Sequence, residues 1–232
     1  MSETDVDIVL SRLKKRQCIY NYCSPNWLVE LNKDAKIIPL AQFARYNNLV
    51  LPSLNKFYLT QVNTCFNIRE IQGQFGFLLD LNSGTMEVFL EQLATYALFI
   101  VLDENNRDSL NYTESVKSKT LSLNQYFSKS GLLYKNALVP LRVDLAKAAL
   151  IALGGKPIDE PLMQRLGFFI LKNILMNRSS QEFFNVICLN LPKSISNFPN
   201  FQLNGLAAIN IKQIILMMKY IFLMGNNNEV VS

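Results

Sequence analysis

Apolar residues at Val6, Val9, Leu10 and Leu13 recur at helical spacing and give the first segment one narrow stripe, with Arg12, Lys15 and Arg16 on a neighbouring face. Ser2 or Thr4 offers an N-cap, and Asp5 and Asp7 fall in the first turn, where the helix dipole favours carboxylates. So short a helix with so little apolar surface is unstable alone and must dock on something, so residues 1–16 read as an arm. From Gln17 to about Asp34 the pattern is irregular around Tyr20, Tyr22, Pro25 and Trp27, and a helix follows Pro39 through LAQFARYNN. Between Val50 and Ile71 the residues support either one helix or two short strands.

The middle of the chain is clearer. Gln74–Leu81 (QFGFLLDL) alternates between Gly73 and the turn residues Asn82-Ser83-Gly84, which predicts a strand. Thr85 then opens an apolar helix that ends near Leu102, with Glu87, Glu91 and Thr95 keeping one face polar over its first half and its last two turns apolar all round. Asp103–Ser109 (DENNRDS) is the most polar interruption, and a lobe boundary falls there. Four helices follow: about Thr113–Lys129, Pro140 to Gly154-Gly155, Asp159–Asn177, and Ser180 to just before Pro192. Ser194–Gly205 reads as a polar linker, Leu206–Leu223 as an apolar C-terminal helix, and NNNEVVS as a frayed end. The division expected is an arm (1–16), an N-terminal lobe (17–105), a C-terminal lobe (106–195) and a second arm (196–232), mainly α with a small β element in the first lobe.

Composition narrows the function classes. Half of the 232 residues are hydrophobic and only 18% are charged, which excludes wholesale disorder and favours self-association that covers apolar surface. A net charge of +5 and a pI near 9.0 suit an acidic partner, either polyphosphate or an anionic surface. Histidine is absent, which removes the commonest general base, the commonest metal ligand and every Ser-His or Cys-His pair. The four cysteines (Cys18, Cys23, Cys65 and Cys188) lack zinc-site spacing and read as reduced thiols, with a Cys18–Cys23 bridge left open. The acidic start, MSETDVD, is unlike a secretory signal, and Lys212 and Lys219 argue against a membrane span in the C-terminal helix. A cytoplasmic protein is expected.

No constellation supports catalysis. Gly154-Gly155-Lys156 follows a helix rather than a strand and reads as a helix stop beside an exposed lysine, while Asp103/Glu104 and Asp159/Glu160 read as caps and solubilising ends. The basic residues say more. Arg165 and Lys172 are seven apart and share a helix face, Arg178 closes that helix, and Arg142 and Lys147 flank the start of the preceding one. Arg45, Lys56 and Arg69 are interleaved with Tyr46, Tyr58 and Phe66. Cations follow a phosphate path while flat apolar faces receive unstacked bases, so this interleaving suits single-stranded nucleic acid. The ordinary alternative is a solvated charge set over core aromatics.

The order of words from Gly73 to Gly155 resembles the nucleocapsid proteins of the bunyavirus group of segmented negative-strand RNA viruses, the tospovirus branch above all. The words are GTMEVFLEQLATYALFIVLDENN, SVKSKTL and VDLAKAALIALGG, in that order. The resemblance implies a helical, two-lobed nucleoprotein with a basic cleft that sequesters single-stranded genomic RNA largely without regard to sequence. It also implies N- and C-terminal arms that link subunits, residence in the host cytoplasm and the virion, and the viral polymerase as a further candidate partner. By position, Lys117 and Lys119 match lysines of the family's KSK word. The family's paired arginines after its TM word are absent, and Val88-Phe89 and Glu91 stand there instead. The full set of candidate RNA contacts is Arg45, Lys56, Arg69, Arg107, Lys117, Lys119, Arg142, Lys147, Lys156, Arg165, Lys172 and Arg178, with no metal, cofactor or catalytic residue expected. The competing reading is a helical protein-interaction or membrane-peripheral, host-modulating factor without RNA binding, motivated by the apolar surface of Leu206–Leu223.

Overall fold

The computed structural model describes residues 3–17, 68–101, 113, 144, 157–196, 203 and 210–228. Among them the chain is mostly helical and forms no strand. In order come α1 (Glu3–Gln17), α2 (Ile68–Ile71), a 3-10 turn (Gly76–Asp80), α3 (Ser83–Val101), α4 (Glu160–Arg178), α5 (Gln181–Leu189), a second 3-10 turn (Lys193–Ser196) and α6 (Ile211–Asn228). They divide between two compact units, Met1–Met86 with Arg178–Ser194 and Glu87–Asn177 with Ile195–Ser232.

The mainly α expectation holds, and the strand expected at Gln74–Leu81 does not. Phe75, Gly76, Phe77, Leu78 and Leu79 are all buried, so the segment has no solvent face for a strand to alternate toward. It coils instead into the 3-10 turn Gly76–Asp80, with the Gly76 N–H donating to the Gly73 carbonyl at 3.0 Å and Leu78 N–H to Phe75 at 3.0 Å. The turn residues after it belong to the next helix rather than preceding it. Asn82 Oδ1 accepts the Thr85 N–H at 2.9 Å while Thr85 Oγ1 accepts the Asn82 N–H at 2.9 Å, a reciprocal cap that starts α3 at Ser83.

The later helices begin on side-chain caps of the same kind. Asp159 Oδ1 accepts the Leu162 N–H at 2.9 Å, which confirms the capping role read for that carboxylate, and Ser180 Oγ accepts the Phe183 N–H at 3.1 Å. Asn210 Oδ1 accepts from Lys212 at 3.1 Å and sets the start of α6. That helix continues to Asn228, through residues expected to fray.

In the first unit, the core side chains include Ile71, Leu78, Met86, Phe183 and Ile187, each at most 1% exposed. Two long-range hydrogen bonds close α5 onto the earlier part of the chain: Ser180 N–H to Glu70 Oε1 at 2.8 Å, and Asn190 Nδ2 to the Leu81 carbonyl at 3.3 Å. In the second unit, α3 and α4 touch backbone to side-chain-free backbone. A Cβ at Gly167 would lie 2.6 Å from the Leu90 carbonyl carbon and 2.9 Å from its Cα, with the Leu90 oxygen nearer still. Beside that crossing, Gln164 Nε2 donates to Glu91 Oε1 at 2.7 Å.

Within the stretch read as a polar linker, Ile195 and Leu203 are each 4% exposed. On α6, the residues Ile214, Ile215, Met217, Met218 and Ile221 are buried. Leu216 alone among the described α6 apolars is exposed. Of the helices expected over 113–129 and 140–155, only Thr113 and Asp144 are described. Asp144 is helical, and Thr113 instead donates its N–H to the Ile158 carbonyl at 3.0 Å. The readings for 18–67, including its alternative strands, and the polar boundary at Asp103–Ser109 lie outside the described residues.

Gly167→Ala tests the crossing. At an open helix position alanine would gain ~1 kcal/mol over glycine. Here the clash with Leu90 should reverse that sign and destabilise the protein by about 1–3 kcal/mol, read from the urea midpoint. A variant as stable as the parent or more so would show that α3 and α4 do not meet at Gly167.

Candidate functional site

The crossing that places Gly167 against α3 also decides which way the rest of α4 points. At 3.6 residues per turn, Arg165 and Lys172 lie roughly 150° around the helix from Gly167, on the far side from α3. They stand roughly 10 Å apart along the axis, from seven residues at 1.5 Å each. Both are half-buried, on a face that also carries exposed Pro161 and Met176. Arg165 Nε donates to the Pro161 carbonyl one turn back at 3.2 Å, which holds its stem along its own helix. Among the described residues neither cation makes an ion pair with a carboxylate.

These two are the candidates that the structure brings together. Arg69 sits exposed on α2, and Arg178 closes α4; both belong to the first unit. Arg45, Lys56, Arg107, Lys117, Lys119, Arg142, Lys147 and Lys156 lie outside the described residues, as do Tyr46, Tyr58 and Phe66. The aromatics next to Arg165 and Lys172 are Phe168 and Phe169, each 3% exposed, so they are core side chains and offer no face for a base.

On α6, Lys212 and Lys219, whose spacing of seven puts them on one polar seam, are exposed together with Leu216. Sequence reasoning missed two features. Arg12, placed with Lys15 and Arg16 on a face beside the apolar stripe, is engaged in an ion pair with Asp80 inside its own unit. Gln92 is the second. Its amide is 5% exposed on α3 and, among the described residues, its Oε1 has no hydrogen-bond partner. One turn on, Thr95 Oγ1 donates to the Glu91 carbonyl at 2.8 Å, and burial pushes the Tyr96 phenol well above its ordinary range, so Tyr96 stays protonated.

Chemically, the α4 face can attract phosphates or carboxylates, but it holds no nucleophile paired with a base. Among the described residues no group of three or more acidic or cysteine side chains gathers to hold a metal, and no helix is long and apolar enough to cross a membrane. No protein-family model, characterised protein or solved structure matches the chain.

Gln92→Met replaces a buried acceptor by an apolar side chain of similar length. Removing an unsatisfied acceptor from the interior should raise stability by about 1 kcal/mol, seen as a higher urea midpoint. A loss of similar size would mean that the amide is engaged and helps to hold α3.

Proposed function

We propose that the chain is a viral nucleoprotein that self-associates and encapsidates single-stranded genomic RNA, largely without regard to sequence. The observation that carries this reading is the pair Arg165 and Lys172, two cations on one face of α4 with no carboxylate opposite them among the described residues. A net charge of +5 and the order of words from Gly73 to Gly155 support it further. Phosphates neutralised along such a face release counterions, which gives affinity without base recognition. The many weak contacts of linked subunits then add by avidity. The rival interaction-factor reading was motivated by the apolar surface of the C-terminal helix, of which the described residues Ile214, Ile215, Met217, Met218 and Ile221 are buried and Leu216 is exposed.

Binding to unrelated single-stranded RNAs should therefore be of similar strength and fall steeply with salt. Reversal of Arg165 and Lys172 to Glu should weaken it about tenfold or more and lower the salt slope by about 1.4, at about 0.7 per lost phosphate contact. The matched reversal of Lys212 and Lys219, also seven apart but on α6, should change affinity by less than about threefold. Fluorescence anisotropy over a salt series reads all of these. Equal losses from the two pairs, or an affinity indifferent to salt, would contradict the assignment.

A further inference from the structure

Arg12 on α1 reaches deep into its unit. Arg12 Nη2 reaches Asp80 Oδ2 at 2.6 Å, Nε lies 3.0 and 3.2 Å from the two carboxylate oxygens, and Nη1 donates to the Ile71 carbonyl at 2.9 Å. Only a residue without a side chain leaves room for this. A Cβ at Gly76 would stand 2.7 Å from Arg12 Nη1 and overlap the Ile71 carbonyl oxygen. The guanidinium is held deep, with the Arg12 side chain 12% exposed. The apolar residues of the same helix are only partly covered. Val6, Ile8 and Leu10 are 38%, 42% and 48% exposed, while Val9 and Leu13 are half-buried.

We infer that α1 is a strap clasped to the first unit by the Arg12 socket, and that it detaches as a segment while the unit stays folded. Among the described residues, the fully buried side chains of that unit include Ile71, Leu78, Met86, Phe183, Ile187 and Leu189, and none of the described α1 side chains joins them. A helix of 15 residues is marginal on its own in water, so its order depends on what it docks against. Hydrogen bonds to charged groups are the strong ones, and the clasp has four, three to a carboxylate and one to a carbonyl. Removing Arg12 takes all four of these bonds away at once, and removing the Asp80 carboxylate takes three, so attachment is sensitive to this one contact. This inference concerns the strap alone and does not rest on the RNA reading.

Hydrogen–deuterium exchange on the full chain tests it. Arg12→Gln and Asp80→Ala should each speed amide exchange across residues 6–17 by about tenfold or more, while α3 and α5 amides stay within about twofold of the parent. The double variant Val6→Ala with Leu10→Ala should leave α1 as protected as in the parent, because those side chains are already exposed. Three results would overturn the inference. One is an α1 that stays protected in either clasp variant. A second is exchange that accelerates through α3 and α5 together with α1, which would make Arg12 part of the core. The third is release of α1 by the alanine pair, which would show that apolar contact holds it.

Discussion

The approach of α4 to α3 at Gly167 and Leu90 is the constraint on which the second unit turns. Helices whose contact residues carry side chains pack 8–10 Å apart, and a glycine at the contact lets one backbone come against the other. Once Gly167 faces Leu90, helical geometry fixes the rest of α4. Gln164 reaches Glu91 on the near side, Leu171 and Ile174 are buried, and Arg165 and Lys172 fall on the far side. The same residue that makes the core close thus determines which face is basic.

The first unit is held differently. Its two parts are separated by about ninety residues of chain, and the ties between them are polar bonds at the margins of an apolar core. Glu70 receives the N–H of Ser180 just where α5 needs a start, and Asn190 reaches the Leu81 carbonyl where α5 ends. Both bonds satisfy groups that would otherwise be costly at the ends of a buried helix. The hydrophobic effect supplies the attraction without direction, and these bonds supply register. Arg12 adds a tie of a different kind, within the first of the two parts, from a helix whose described apolar residues are only partly covered.

Much of the helical plan was legible in the sequence, because periodicity and caps are local signals. The helices near 85–101, 160–178 and 181–189 follow from apolar spacing together with Asp159, Ser180 and the polar turn residues. Three things were not legible, each because tertiary contact decided it. Phe75–Leu79 shows a plausible alternation, and only its burial on every side reveals why it coils. Gly167 sits in the middle of a helix, where sequence alone reads a weak residue rather than a point of contact. Arg12 has the spacing of a solvated face, and its partner Asp80 lies 68 residues away. Of the candidate site, the shared face of Arg165 and Lys172 was readable from their spacing of seven, whereas the burial of Phe168 and Phe169 was not.

The functional reading rests on unneutralised positive charge in a chain that has no histidine and few charged residues overall. In such a chain the half-buried pair Arg165 and Lys172, with no carboxylate paired to either among the described residues, weighs more than it would on an ordinary surface, and the proposed polyphosphate partner would satisfy both at once. The most direct measurement is the ultraviolet spectrum of the full-length protein after purification at low salt, before and after ribonuclease. The account predicts a 260/280 nm absorbance ratio well above that of protein alone, falling to the protein value once RNA is digested and washed away at high salt. A ratio equal to that of protein alone at the outset would contradict it.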